Sequence, residues 1–262
     1  MAILEVENLT KRFGGLTAVN NLTFHVDKGE ILAVIGPNGA GKSTLFNLIT
    51  SYNRPTSGKI IFEGEDITGM PTHKIAKLGI IRTFQETTVF KEMDVFHNVQ
   101  VANHLHFKSN DLEEFFNSPR AKADHLEVER RTRELLNYFG IEQYKDEIAS
   151  NLPHGHLRAL EMAIAMSADP KLALLDEPFT GMNAEETDRA MEMVRGIRDQ
   201  KGVTVILVEH DMRAVMRISD RIVVMNFGEK IAEGKPAEIQ QNEAVIEAYL
   251  GKEEEGELED VL

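Results

Sequence analysis

The apolar positions of this chain change their spacing along its length, and the changes mark out distinct kinds of structure. Residues 3–9 and 22–26 alternate apolar and polar side chains, which predicts half-buried strands, with Arg12-Phe13-Gly14-Gly15 between them. Asp27-Lys28-Gly29-Glu30 reads as a hairpin turn feeding the apolar run 31–35, a buried strand. A helix through 45–49, a turn at Arg54-Pro55-Thr56-Ser57-Gly58, a strand over 59–63, a short helix over 71–79 and a strand over 80–84 ending at Gln85 follow. From about 93 to 150 strand signals vanish, and 95–106 and 122–139 carry helical spacing with charged faces. Phe115, Phe116, Leu126, Leu135, Leu136, Tyr138 and Phe139 are expected to form the core of this helical insertion. Strands then return at 172–177, 203–208, 222–226 and 230–232, separated by helices over 155–168, 184–200 and 212–219. Such alternation implies right-handed crossovers and a parallel sheet, with ligands at the carboxyl ends of its strands.

The expected fold is therefore α/β, with an N-terminal antiparallel β portion, a parallel-sheet core and an inserted α-helical subdomain. The expected divisions are a β portion with the first part of the core over 1–92, the helical subdomain over 93–168, the second part of the core over 169–250, and a tail over 251–262. That tail holds Glu253, Glu254, Glu255, Glu257, Glu259 and Asp260 against Lys252, the composition of a solvated, disordered end.

Composition narrows the chemistry. With no cysteine among 262 residues, disulfides, thiolate catalysis and cysteine-based metal sites are excluded. A formal net charge of −14 argues against nucleic acid as a partner. The N-terminus shows no export signal, and no apolar run approaches the roughly 18 residues that span a bilayer. If a membrane matters here, a partner must cross it.

The strongest chemical signal follows the strand at 31–35. Gly36-Pro37-Asn38-Gly39-Ala40-Gly41-Lys42-Ser43-Thr44 has the spacing G-x-x-x-x-G-K-[ST] between a strand and a helix. Glycines let backbone N–H groups curl around phosphate oxygens, Lys42 brings a point charge to the outer phosphates, and the Ser43 hydroxyl can ligate Mg2+. A second signal is Asp176-Glu177 at the end of four apolar residues, since a buried strand rarely ends in adjacent carboxylates without a cation or proton to handle. Asp176 is placed to hold the magnesium with Ser43, and Glu177 to polarise the attacking water. Weaker candidates remain open. His210 could clamp the terminal phosphate or be structural. Gln85 could reach metal or water or simply cap a turn, and Phe13 could stack on adenine or pack as an ordinary aromatic.

In order and spacing, Phe13, the 36–44 loop, Gln85, Leu152 to His156, Asp176-Glu177, Thr180 to Asn183 and His210 resemble the ABC-type ATPases over nearly the whole chain. The likeness makes these the adenine-stacking loop, Walker A, Q-loop, signature, Walker B with catalytic Glu, D-loop and H-loop. Phe13-Gly14-Gly15-Leu16-Thr17-Ala18-Val19, Arg82-Thr83-Phe84-Gln85, Val89-Phe90-Lys91-Glu92-Met93 and the enlarged insertion resemble the branched-chain amino-acid importer ATPases of the LivG type. The resemblance implies ATP and Mg2+ as cofactors and head-to-tail pairing with a second ABC ATPase subunit, itself or a homologue. It further implies transmembrane permease subunits, an extracytoplasmic solute-binding protein and a place on the cytoplasmic face of the membrane. Gln85 would link the metal site to the membrane partner. An ATPase of a lipid or lipopolysaccharide exporter and a soluble, non-transport ABC ATPase are the competing readings.

Two motifs depart from the common pattern. Where most members read Leu-Ser-Gly-Gly-Gln, this chain has Leu152-Pro153-His154-Gly155-His156, and Pro153 has no hydroxyl to offer a phosphate. By the resemblance, Pro153, His154, Gly155 and His156 still form the half-site for a partner's nucleotide, through N–H groups at a helix start. His154 and His156 are expected to face solvent. Asn183 stands where the D-loop usually has Asp.

Overall fold

In the computed structural model, residues 1–83, 89–106, 108–116 and 118–250 are described. They fall into two units: Met1–Arg82, Lys171–Thr180 and the chain from Thr187 onwards form the first, Thr83–Pro170 and Gly181–Glu186 the second.

The first unit holds two sheets. Strands β1 (Ala2–Phe13), β2 (Leu16–Asp27), β4 (Ser57–Phe62) and β5 (Glu65–Asp66) make an antiparallel sheet in the order β2-β1-β4-β5. The second sheet runs β10 (Glu229–Gly234), β9 (Arg221–Asn226), β3 (Ile31–Ile35), β8 (Thr204–Val208), β7 (Leu172–Asp176), β6 (Ile80–Arg82). From β9 to β6 the pairings are parallel, and β10 is antiparallel on the edge. Every residue of β3, β7 and β8 is buried, which explains their nearly continuous apolar sequences, interrupted only by Asp176 and Thr204 at strand ends: strands covered on both faces have no polar side to alternate with. Helix α1 (Lys42–Ile49) contributes Leu45, Phe46 and Ile49 to a core shared with Val6 and Leu22 of the first sheet and Leu174, Ile206 and Val223 of the second. Two expectations change. Asp27 to Glu30 is no hairpin turn, because β2 and β3 belong to different sheets and the segment carries the chain between them. The strands around the 14–15 turn are also far longer than 3–9 and 22–26, and Phe13 is the last residue of β1. α2 (Thr72–Leu78) precedes β6.

The second unit is helical: α3 (Val95–Ala102), α4 (Asp111–Phe115), α5 (Pro119–Tyr138) and α6 (His154–Met166). Ser118 caps α5, its hydroxyl accepting from the Ala121 N–H at 3.1 Å, with Pro119 at the first helical position. The helix buries Ala121, Val128, Thr132, Leu135 and Leu136 along one stripe. Leu135, Leu136 and Phe139 lie in the core as expected, but Phe115, Phe116 and Leu126 are 78%, 74% and 68% exposed and form no part of it. Helical spacing marks an apolar face without saying which face finds a partner. The buried Asn98 amide fixes the chain ahead of α3: Nδ2 donates to the carbonyls of Phe90, Met93 and Asp94, and Oδ1 accepts from the Phe90 N–H. The remaining helices are α7 (Ala184–Lys201), α8 (Met212–Ile218), α9 (Pro236–Gln240) and α10 (Glu243–Leu250). The expected tail, 251–262, lies outside the described residues.

Candidate nucleotide and hydrolysis site

Sheet register decides which residues meet. Val34 of β3 and Asp176 of β7 are both cross-strand partners of Val208 in β8. The residues that follow those three positions, at the phosphate loop, Glu177 and Glu209-His210, therefore emerge along one edge of the sheet, at the carboxyl ends of three adjacent parallel strands. That edge is where an open α/β sheet takes its ligands.

The loop from Gly36 to Gly41 is shaped by close backbone approach. A Cβ on Gly36 would stand 2.0 Å from the Met225 carbonyl oxygen, and one on Gly41 would stand 2.3 Å from that of Ala18. Gly41, at φ 102°, is also the left-handed residue from which α1 starts. The Ala40 N–H donates to the Pro37 carbonyl, and the Ala40 carbonyl accepts from the Gly228 N–H at 3.0 Å, which pins the loop to the turn between β9 and β10. Lys42 is buried, with Nζ donating to the carbonyls of Gly36 (2.6 Å) and Pro37 (3.1 Å). Ser43 is exposed in the first turn of α1, followed by Thr44.

At the end of β7 the chain turns sharply. Glu177 takes φ 49°, a conformation uncommon outside glycine, held by its N–H donating to the Val208 carbonyl at 2.8 Å. His210 Nε2 lies 2.9 Å from Glu177 Oε1. An ionised carboxylate can only accept, so Nε2 carries the hydrogen toward it. Asp176 is buried and bonded to Arg82, whose Nη2 lies 2.6 Å from Oδ2.

Sequence reasoning gave no task to Glu209, and the structure gives it one. Its carboxylate is buried, Oε1 accepting from the Phe179 N–H at 2.6 Å and Oε2 from the His210 N–H at 3.0 Å. It thus ties the loop carrying Glu177 to the segment carrying His210. Burial pushes its pKa up, against the lowering effect of the backbone N–H groups. A glutamate ending a strand beside an aspartate-glutamate strand end was the available signal. Arg82 and Tyr249 were also missed. Tyr249, on α10, hydrogen-bonds the Gly36 backbone, and burial pushes its phenol up to about 12.

Phe13 is 44% exposed, with the Lys11 ammonium 4.7 Å from its ring centroid, so the aromatic is accessible and already takes a cation on one face. Gln85 lies outside the described residues. Pro153, His154, Gly155 and His156 belong to the second unit and open α6; no side chain among the described residues caps its start at Pro153. His154 is exposed, whereas His156, expected to face solvent, is half-buried with its ring centroid 4.6 Å from that of Tyr144. Its Nδ1 is buried without a hydrogen-bond partner among the described residues. Asn183 forms a capping box on α7: Oδ1 accepts from the N–H groups of Glu185 and Glu186, and Glu186 Oε2 accepts from the Asn183 N–H at 3.0 Å.

A family model for ABC transporters matches residues 19–180, and one for branched-chain amino acid ATP-binding cassette transporters matches 229–255. The chain is 43% identical over 250 residues to the high-affinity branched-chain amino acid transport ATP-binding protein BraF of Pseudomonas aeruginosa, covering 95% of this chain and 98% of that protein. It is 40% identical to the corresponding LivG of Escherichia coli, with the same coverage, and 33% identical to the lipopolysaccharide export system ATP-binding protein LptB of that organism, covering 97% of this chain and 99% of LptB. Among solved structures, a nucleotide-free ATP-binding cassette from an ABC transporter is similar at a TM-score of 0.83 and 30% identity, covering 95% of this chain and 99% of that one. The ADP conformation of the cassette MJ1267 matches equally well, over 96% and 100%.

Proposed function

The chain belongs to the ABC transporter family, within its branched-chain amino acid ATP-binding group, and we propose that it powers an importer of branched-chain amino acids or related small solutes through partner membrane subunits. It is an ATPase, and the pairing of Glu177 with His210 at 2.9 Å, on the sheet edge that carries the phosphate loop, is the observation on which our account of hydrolysis rests.

In that account the loop N–H groups and Lys42 bind the β- and γ-phosphates, and Phe13 stacks on adenine. Glu177 accepts the proton of the water that attacks the γ-phosphorus as the bond to the β–γ bridging oxygen breaks, leaving ADP and phosphate. His210 fixes the Glu177 carboxylate by donating to Oε1, and Gln85, by the family resemblance, would add a contact to the water and the metal. The donors available for magnesium are hard oxygens, the Ser43 hydroxyl and the Asp176 carboxylate. Among the described residues no group of three or more His, Cys, Asp or Glu is gathered to hold a metal unaided. That set fits Mg2+ arriving with the nucleotide, since this ion takes few protein ligands and keeps phosphate oxygens and water. Ser43 and Asp176 would hold it, and its charge would offset that of the phosphates.

The uncapped start of α6, at Pro153, His154, Gly155 and His156, offers N–H groups to the terminal phosphate on a second ABC ATPase subunit, of the same or a homologous chain. No helix among the described residues is long and apolar enough to cross a membrane. The protein in this reading sits on the cytoplasmic face, its permease partners cross the bilayer, and an extracytoplasmic binding protein delivers the solute. Reconstitution with those permease subunits in vesicles tests it: leucine, isoleucine or valine delivered by the binding protein should be taken up at the expense of ATP. Normal ATP turnover without uptake of any of the three would reject the solute assignment, and extraction of lipopolysaccharide instead would favour export.

A further inference from the structure

Arg82 closes β6, yet its charged side chain is 8% exposed and the Asp176 carboxylate it meets is 7% exposed. Its cross-strand partner is Leu174, two residues before Asp176 in β7, so its side chain and that of Asp176 leave the same face of the sheet. Nη2 donates to Asp176 Oδ2 and Nη1 donates to Asn47 Oδ1, both at 2.6 Å, while the guanidinium carbon lies 5.4 Å from the centroid of the Phe46 ring. Phe46 and Asn47 follow Ser43 in α1 by three and four positions, so the three share one helix face. A single guanidinium thus grips both the strand that ends in Asp176 and the helix face that bears Ser43.

We infer that Arg82, with Asn47 as its second anchor, is a positioning residue that sets the spacing between Ser43 and Asp176 as oxygen donors for the magnesium that accompanies ATP. This rests on the reading of those two residues as the metal's protein ligands. Burying an ion pair costs desolvation that a hydrophobic pair avoids, so stability alone does not account for a charged pair here. Magnesium is small, demands near-ideal octahedral geometry and tolerates little error in donor placement. A planar fork with donors on two sides can hold two elements in register, whereas a lysine ammonium acts as a point charge.

The test uses the full chain carrying Glu177→Gln, so that nucleotide binding is read apart from turnover. ATP binding is titrated with Mn2+ and, separately, measured in EDTA. Asn47→Leu removes the anchor on α1 without changing any charge, and Arg82→Lys keeps the charge but loses the fork. Both should raise the Mn2+ midpoint about tenfold, the size of effect seen when partners that orient metal ligands are removed. Affinity for ATP in EDTA should stay within about twofold of the parent. Parental midpoints in both variants would overturn the inference. Arg82→Gln, which removes the charge together with the fork, is the control: a shift confined to it would mark a simple charge effect and would equally overturn the inference. Asp176→Asn checks the underlying reading: if it leaves the midpoint unmoved, Asp176 is no metal ligand and the failure lies there.

Discussion

The edge formed by β7 and β8 and the start of α6 are both motif regions, and they are built in opposite ways. At the strand edge every acid has a partner from the same unit: Asp176 has Arg82, Glu177 has His210, and Glu209 has the N–H groups of Phe179 and His210. At the start of α6, Pro153 supplies no cap, His154 is exposed, and His156 buries a nitrogen without a partner among the described residues. The contrast teaches that the carboxylates at the strand edge are held from within their own unit, while the start of α6 has no side-chain cap among the described residues, which is what our proposal of a half-site for a partner's nucleotide requires.

The contrast can be broken at either end. The largest effect should come from Glu177→Gln, which should cut ATP turnover by about 100- to 10,000-fold while binding persists, because it removes the proton acceptor and little else. Single-turnover kinetics at saturating ATP measure this, and turnover at the normal rate would remove Glu177 from the role of base. Next is Lys42→Ala, expected to weaken ATP binding about 10- to 100-fold by deleting a charged donor to the phosphates. Equilibrium binding of a fluorescent ATP analogue reads it directly.

A smaller effect sharpens the account of the strand edge. Glu209→Gln keeps one acceptor but turns an amide NH2 toward a backbone N–H, and should cost about 1–3 kcal/mol of stability. Its pH dependence has a definite sign. Because the native carboxyl has a raised pKa, the folded wild type binds a proton more tightly than the unfolded chain and loses stability as pH climbs through that raised value. The variant lacks this titration. The stability gap between the two, from urea unfolding, should be widest below the ordinary glutamate range and narrow as pH rises.

The smallest effects belong to α6. Pro153→Ser, in a Glu177→Gln background, returns a hydroxyl donor to the signature and should strengthen ATP-dependent association by about fivefold, the equivalent of one hydrogen bond. Sedimentation with and without ATP would reveal it, and no change would mean that the backbone N–H groups already suffice. His156→Phe keeps the ring against Tyr144 and removes the buried nitrogen that has no partner among the described residues, so it should stabilise the protein by about 1 kcal/mol in thermal melts.

Legibility follows the same division. The strands 31–35, 172–176 and 204–208 were visible because nothing but burial on both faces explains such apolar runs between turn residues. The phosphate loop was visible because its residue types have few other uses at that spacing. The helical insertion was legible as helices, but Phe115, Phe116 and Leu126 were assigned to its core although they are exposed. The turn residues at 27–30 were equally misleading, since Lys28-Gly29 has the same composition whether the chain doubles back or crosses to another sheet.

What the sequence by itself determined was the local chemistry: a glycine loop between strand and helix, two acids ending a buried strand, and a histidine ending another. These are properties of a few adjacent residues, and short-range sterics and burial suffice to produce them. What only the tertiary structure decided was which of those residues meet. Register places Val34 and Asp176 on either side of Val208, and with that Glu177 and His210 come within hydrogen-bond distance. The pairing of Arg82 with Asp176 and Asn47, and the bracing of two loops by Glu209, depend on strands and helices distant in the chain. A charged residue reads from sequence as a surface residue, because the partner that makes its burial tolerable is fixed by the fold.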